Sequence, residues 1–288
     1  MSIYLARNGK MLTRLNGTRC FGSVTTPFSL LLEYEEGVDP GFGVYPHTRG
    51  FGVQVSESPN VWQFTLADPD WSYVKIGELS TTHLLPSPRS IVRVIGGNTT
   101  GVTNMEGLFY DCENLVDVAL FDTSTVTNMQ SMFYTCKKLT TIPAFDTRNV
   151  TKFGSFLGMY HSISSLTSVP LLNTSSATDT GQMFEGCTKL TSVPLFDLSN
   201  VTEMSGMFSD CVSLTSIPDF DISSVTNMKW AFRWCYKVES GALSLYQKAS
   251  SLPQTVLHSE TFKECGKDTV TGAAELAQIP TTWGGTLE

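Results

Sequence analysis

A period constrains this chain more than any other feature. From residue 102 the tetrapeptide VTNM, or a variant of it, recurs at Val102–Met105, Val126–Met129, Val150–Phe153, Ala177–Thr180, Val201–Met204 and Val225–Met228. The steps are 24, 24, 27, 24 and 24 residues. A Met-Phe-type pair and a cysteine follow, as in Met132-Phe133…Cys136 and Met207-Phe208…Cys211. Next comes L-T-x-I/V-P, as in Leu139–Pro143, Leu190–Pro194 and Leu214–Pro218, and the unit closes on Phe-Asp at Phe121-Asp122, Phe145-Asp146, Phe196-Asp197 and Phe220-Asp221. A unit this short cannot bury an apolar face alone, so it must stack on its neighbours.

The third unit is irregular. Aligning LTSVP at 166–170 with LTSVP at 190–194 restores the offset of 24 and sets Tyr160 on Phe184. That alignment places three extra residues between Phe153 and Gly158, and Ile163 in the cysteine slot. A slot shared by Cys112, Cys136, Ile163, Cys187, Cys211 and Cys235 calls for a compact buried hydrophobe.

A period of 24 is too short for a helix hairpin and fits one coil of a leucine-rich solenoid. L-T-x-I/V-P has alternating apolar positions and a terminal proline, and is expected to be the sheet-forming edge. VTNMxxMFxxC has apolar residues at relative positions 0, 3, 6, 7 and 10, which predicts a short helix of two to three turns. The Asp of Phe-Asp supplies turn and capping oxygens before it. Thr103, Thr127, Thr151, Thr178, Thr202 and Thr226 form a ladder expected to satisfy backbone groups at a corner. Seven rungs at the parallel-strand spacing of about 4.8 Å span roughly 35 Å.

Both ends of such a stack need caps. Ile91 and Val94 lie 24 residues before Leu115 and Val118, so SIVRVIGG is a starting half-rung. Residues 239–251 read as an amphipathic helix, and Thr261-Phe262…Cys265 repeats the Phe/Cys signature after a gap of 30. AAELAQIP (273–280) ends in a degenerate strand motif, followed by Trp283. Residues 1–80 contain no repeat. They show alternating runs such as FSLLLEYEEG, GFGVQVSES and NVWQFTLAD, a hairpin signal at Ser-Glu-Ser-Pro-Asn, and Trp62, Phe64 and Trp71 as a small core. The expected fold is an α/β repeat: a leucine-rich-repeat solenoid over 91–238, a sandwich-like β-rich attachment domain over 1–80, a linker at 81–90 and a C-terminal helical cap at 239–288.

The pattern VTNMxxMFxxCxxLTxIPxFDTS resembles the BspA-like bacterial leucine-rich repeats, in the short-repeat branch common in surface proteins of mycoplasmas and gut bacteria. The resemblance covers residues 91–238 and extends into 239–288. The opening with NVWQFTLADPDWSYV is similar to the leader domain of proteins encoded by gut bacteria and their phages. The resemblance implies a right-handed solenoid without catalytic activity, used for adhesion or protein–protein recognition. It supplies no fixed ligand residues.

Composition excludes several functions. The chain of 288 residues has 19 basic and 27 acidic side chains, net -8, and lacks the footprint of a nucleic-acid binder. Charged residues are 16% against roughly 25% in an average soluble domain, and serine with threonine makes up nearly a quarter of the chain. At 41% hydrophobic and 11% aromatic it is not a disordered sequence. No stretch approaches 18 apolar residues, so no membrane insertion is expected. Arg7, Asn8 and Lys10 break the first apolar run, leaving no signal-peptide core, a departure from secreted members of the family. The expected setting is a virion, released without ordinary export, or an extracellular surface reached by a nonstandard route.

Catalytic, cofactor and metal sites are not expected. His47, His83, His161 and His258 are scattered, and no clustered cysteine or histidine pair has zinc spacing. The Met-Phe stripe reads as core. Asp122, Asp146, Asp197 and Asp221 form an acidic row broken by Asn173, which fits turn formation better than calcium binding. Seven cysteines cannot all pair, and the ladder is expected to hold free thiols. The informative positions are those where the repeats differ. After the Phe stand Tyr110, Tyr134, His161, Glu185, Ser209 and Arg233, and the last unit crowds Trp230, Arg233, Trp234 and Tyr236. The candidate binding surface is therefore Tyr110, Tyr134, His161, Trp230, Arg233, Trp234 and Tyr236. Its expected partner is a protein or glycan on a cell surface, with other virion proteins held through residues 1–80; a homo-oligomer is left open. The functional expectation is a non-enzymatic recognition or adhesion protein, a structural or receptor-binding component of a phage virion. The alternatives are a bacterial adhesin and, from another class, a cysteine-dependent hydrolase.

Overall fold

The computed structural model describes residues 4–5, 11–12, 14–15, 18–19, 29–38, 40, 50–57, 59–66, 88–158 and 165–287. Two short antiparallel pairs come first: β1 (Tyr4–Leu5) with β2 (Met11–Leu12), and β3 (Arg14–Leu15) with β4 (Thr18–Arg19). Then β5 (Ser29–Tyr34), β6 (Gly50–Ser56), β7 (Val61–Leu66), β8 (Ile91–Asn98) and β9 (Asp117–Val118) form one mixed sheet in the order β6-β7-β5-β8-β9. The hairpin expected at Ser-Glu-Ser-Pro-Asn is β6–β7, which pair antiparallel. Asn60 in its loop is buried; its amide donates to the carbonyls of Glu35 and Val38, and its oxygen accepts from Gln54 and Trp62. Phe64's side chain and Trp71 lie outside the described residues.

The sheet joins the attachment segment to the start of the solenoid, across the linker expected at 81–90. β5 pairs antiparallel with β8, and β8 pairs parallel with β9 in the register Arg93↔Asp117 and Val94↔Val118, the offset of 24 expected for a half-rung. Leu30, Leu32 and Tyr34 of β5 join Ile91 and Val94 in the same core. Among the described residues these strands make a single sheet that seals the first rung, not two packed sheets.

From residue 99 onward the coils stack in parallel register. Bridges link Asn104, Asn128, Lys152, Asp179, Glu203, Asn227 and Leu257 in succession. The threonine corner is built as expected: each Thr N–H and hydroxyl donates to the carbonyl of the threonine one coil earlier, from Thr127→Thr103 to Thr226→Thr202. A second ladder is buried. Thr99, Thr123, Thr147 and Thr174 donate their hydroxyls to carbonyls of the next coil, and Leu198 and Ile222 replace them further on.

The VTNMxxMFxxC segment is not helical. It is a run of overlapping four-residue turns: Leu108 N–H donates to Met105 O, Tyr110 to Gly107 and Cys112 to Phe109. The intervening donors of Met105, Gly107, Phe109 and Asp111 cross to Asn128, Gln130, Met132 and Tyr134 of the next coil. Overlapping turns bury Met105, Leu108, Phe109 and Cys112, the i, i+3, i+4, i+7 spacing of a helix, which is why the sequence pattern mimics one. The turns require positive φ twice per coil, four residues apart, and non-glycine residues hold it at Ser131/Thr135, Trp230/Trp234 and Glu260/Glu264.

This face carries most of the inter-coil hydrogen bonding, so L-T-x-I/V-P is not the principal edge. In the first rung Ala119 N–H reaches Val94 O at 2.8 Å. Prolines 143, 170, 194 and 218 occupy that position later and have no N–H to give. The third unit also differs from its expected alignment. Phe133 N–H donates to Phe156 O and Leu157 N–H to Met183 O, which puts Phe156 in the Met slot and Leu157 in the Phe slot. The three extra residues therefore follow Leu157 rather than precede Gly158, and Leu157, not Tyr160, stands over Phe184. Ile163 lies outside the described residues.

The C-terminal segment continues the stack. Helix α1 (Ala242–Ser250) occupies the expected amphipathic stretch, and its added length accounts for the gap of 30. Phe232 N–H then donates to Thr261 O, and the Phe232 and Phe262 rings stack at 6.0 Å. The 273–280 segment is helical over its first half and ends on a bridge: α2 (Val270–Leu276) starts at Thr269, whose hydroxyl accepts from Gly272 N–H, and Pro280 pairs parallel with Leu287. Phe262 N–H ends the ladder on Trp283 O, and the Trp283 indole lies parallel to His258 at 3.9 Å. Trp283 is the lid of the phenylalanine column.

Candidate functional site

The outward positions of the turn segment form columns at the repeat spacing. One runs Gly107, Ser131, Ser155, Gln182, Gly206, Trp230, Glu260; the structure replaces His161 in another, which runs Tyr110, Tyr134, Gly158, Glu185, Ser209, Arg233. A third contains Asp111, Thr135, Gly186, Asp210, Trp234 and Glu264. The inward columns repeat Met, Phe and Cys almost without change, while these change from coil to coil.

Large residues flank small ones across three coils. Gly206, Ser205 and Ser209 form a low floor between Gln182 and Glu185 on one side and Trp230, Arg233 and Trp234 on the other. With Asp210 these residues line a groove of about 490 Å³. Three of the sequence candidates, Trp230, Arg233 and Trp234, are therefore brought together as one wall. Trp230 is 45% exposed. The Arg233 guanidinium lies 3.6 Å from the Trp234 ring centroid, and its Nε is 3.5 Å from Glu260 Oε2. That is ion-pair range but outside hydrogen-bond geometry, and Arg233 Nε is buried without a hydrogen-bond acceptor.

The opposite wall is acidic. Gln182 Nε2 donates to Glu185 Oε2 at 2.8 Å. Burial, reinforced by the Asp210 carboxylate, pushes the Glu185 carboxyl up to about 7 against the opposing effect of the Gln182 hydrogen bond.

The other candidates lie apart from the groove. Tyr110 and Tyr134 stack one coil apart, with centroids 5.0 Å apart and an interplanar angle of 20°. Burial first, then Tyr134 and Asp111, pushes the Tyr110 hydroxyl up to about 12. Tyr236 faces Lys267, whose Nζ lies 4.4 Å from its ring centroid, and it does not line the groove. His161 lies outside the described residues. Glu185 and Ser209 stand among the variable positions of the sequence but outside its candidate surface, whereas Gln182, Ser205, Gly206 and Asp210 emerge from the structure; the spacing of 24 from 182 to 206 to 230 and from 210 to 234 is their signal in the sequence.

The ladder cysteines and the acidic row are engaged within the coils. Cys112, Cys136, Cys187, Cys211, Cys235 and Cys265 are buried free thiols. Cys136, Cys211 and Cys235 donate to the carbonyls of Phe109, Phe184 and Phe208, and burial pushes their thiols far above the ordinary range. Asp122, Asp146, Asp197 and Asp221 each accept a hydrogen bond from the backbone N–H two residues on, and these contacts, with the Ser or Arg side chains there, hold them below the usual carboxylate range. Among the described residues no group of three or more His, Cys, Asp and Glu could hold a metal ion, and no helix is long and apolar enough to cross a membrane.

The family model described as "Mycoplasma protein of unknown function, DUF285" matches residues 94–192 and 155–251, together more than half of the chain. The chain belongs to this family. A solved structure of a leucine-rich repeat protein from Eubacterium ventriosum is similar at 23% identity and a TM-score of 0.41, over 57% of this chain and 41% of that one. This chain thus spans less than half of that structure's length. No curated protein matches it.

Proposed function

We propose that this chain is a non-enzymatic recognition protein, built as a right-handed leucine-rich solenoid that presents a binding surface to a protein or glycan on a cell. The observation that carries the reading is the groove between Gln182 and Trp234. Its walls come from three coils, and its residues sit in columns that vary while the core columns repeat. An exposed Trp and an Arg beside a polar floor are the residue types that dominate binding energy at recognition surfaces. Membership of the DUF285 family and resemblance to BspA-like surface repeats support the same reading.

Saturable binding of the labelled protein to bacterial or epithelial cells tests it. A variant carrying Arg233→Ala and Trp234→Ala, with the wild-type circular dichroism spectrum, is expected to lose at least tenfold in apparent affinity. Binding that does not saturate, or that the variant retains, would overturn the proposal. The setting proposed is display on a phage virion, with residues 1–80 as the attachment segment. Immunogold labelling of purified particles and of bacterial cells checks it, and label on cells alone replaces the virion with a cell surface.

A further inference from the structure

The groove has chemistry specific enough to name a class of ligand, an inference that rests on the recognition reading above. We propose that it is a saccharide site, in which an uncharged sugar ring lies over the floor at Gly206 against the Trp230 indole. Four observations lead there.

The first is the mixture of hydrogen-bonding groups. Arg233 is donor-only, the carboxylates of Glu185 and Asp210 are acceptors when ionised, and Gln182, Ser205 and Ser209 offer both roles. A sugar hydroxyl donates and accepts at once, so a polyol can satisfy such a set. A cationic side chain would serve the acceptors and leave Arg233 opposed by like charge. An anion would serve Arg233 and meet Glu185 and Asp210.

The second is the aromatic wall. Arg233 covers the Trp234 ring at 3.6 Å, whereas Trp230 remains 45% exposed. The C–H face of a pyranose is apolar and flat, and it packs on such an indole while its equatorial hydroxyls point outward to the polar walls.

The third is the floor. Gly206 holds φ +60, and a Cβ there would lie 3.2 Å from Gln182 Cγ. The same column holds Gln182 at φ 57 and Trp230 at φ 60, so the fold does not itself require glycine at this position. At 206 the side chain is absent where it would fill the groove.

The fourth is the cost of the wall. A bulky residue at positive φ is strained, yet Trp occupies both such positions in this coil while Gly occupies corresponding positions at 107, 186 and 206. The tryptophans are not what the turn geometry favours, and the groove gives them a use.

The test is an array of uncharged oligosaccharides, including hexamers of β-1,4-linked glucose, N-acetylglucosamine and mannose, followed by calorimetric titration of the full chain with the array's strongest binder. An array of basic, acidic and neutral peptides is run in parallel. Wild type is expected to bind at least one uncharged oligosaccharide. Gly206→Gln, which fills the groove, and Trp230→Ala, which empties its wall, are each expected to weaken that binding at least tenfold. Val270→Ala, at the exposed start of α2 and away from the groove, is expected to leave it unchanged. Melting curves for each variant establish that it is folded. Absence of oligosaccharide binding by wild type, or undiminished binding by folded Gly206→Gln, overturns the saccharide assignment. Peptide binding that Gly206→Gln abolishes overturns it too, but leaves the recognition function standing. If folded groove variants also retain full cell binding, both readings fall.

Discussion

At the scale of single residues, the ladder cysteines and the buried threonines show how the stack handles polar atoms in its interior. Each thiol that donates to a carbonyl of the preceding coil would lose that bond and gain a buried charge on ionising, so nucleophilic chemistry is suppressed. In a Cys20→Ser background, thiol reagents are expected to leave the native protein unmodified and to label all six remaining cysteines after denaturation. A single fast-reacting native thiol would revive the hydrolase alternative. Thr123 donates to Asp146 O at 2.9 Å from a fully buried position. Thr123→Val keeps the shape, as Leu198 and Ile222 do in later coils, but leaves that carbonyl short of a donor. A loss of about 1 kcal/mol is expected from urea unfolding. Glu185 behaves in the opposite sense to a salt-bridged acid. Its folded-state pKa is raised to about 7, so the native state binds the extra proton and stability falls as pH rises from the ordinary glutamate range through 7. Relative to wild type, Glu185→Gln is expected to flatten that fall in the urea midpoint. An unchanged pH profile would contradict the burial of this carboxyl.

Elements explain where local pattern misled. Apolar spacing at 0, 3, 6, 7 and 10 is shared by a helix and by turns that overlap at steps of two residues. The sequence cannot separate them, because the difference lies in where alternate N–H groups go. In a helix they stay within the segment; here half of them cross to the next coil. The prolines are clearer in retrospect. A residue without an N–H at every L-T-x-I/V-P makes that edge a poor ladder, and only the first rung, with Ala119, completes a strand there. The terminal element has a comparably direct role. Trp283 covers Phe262 and lies flat on His258. Trp283→Ala is expected to cost about 3–5 kcal/mol in the last coil. Hydrogen exchange should then show early loss of protection at residues 257–266 while the central coils stay protected.

At the scale of the whole molecule, each coil touches its neighbours and little else, so stability should behave as a sum over rungs and interfaces. Deleting residues 126–149, one full period, joins Thr125 to Val150 in register and leaves the groove coils untouched. The shortened chain is expected to melt cooperatively at a lower temperature, and to keep groove binding. Collapse of the entire fold would show that the stack is not modular. The period, the identity of the inward ladders, the corner threonines, the half-rung at Ile91 and the aromatic crowding at 230–234 stand in the linear chain. These are legible because stacking places like residues on like, so a one-dimensional offset of 24 is already a contact map. The folded chain alone reveals that the turn segment carries the inter-coil hydrogen bonds, that the insertion follows Leu157, that β5 seals the first rung, and that Gly206 lies between two raised walls. Those facts depend on backbone direction and on the height of one side chain beside its neighbours in adjacent coils, quantities that no linear pattern records.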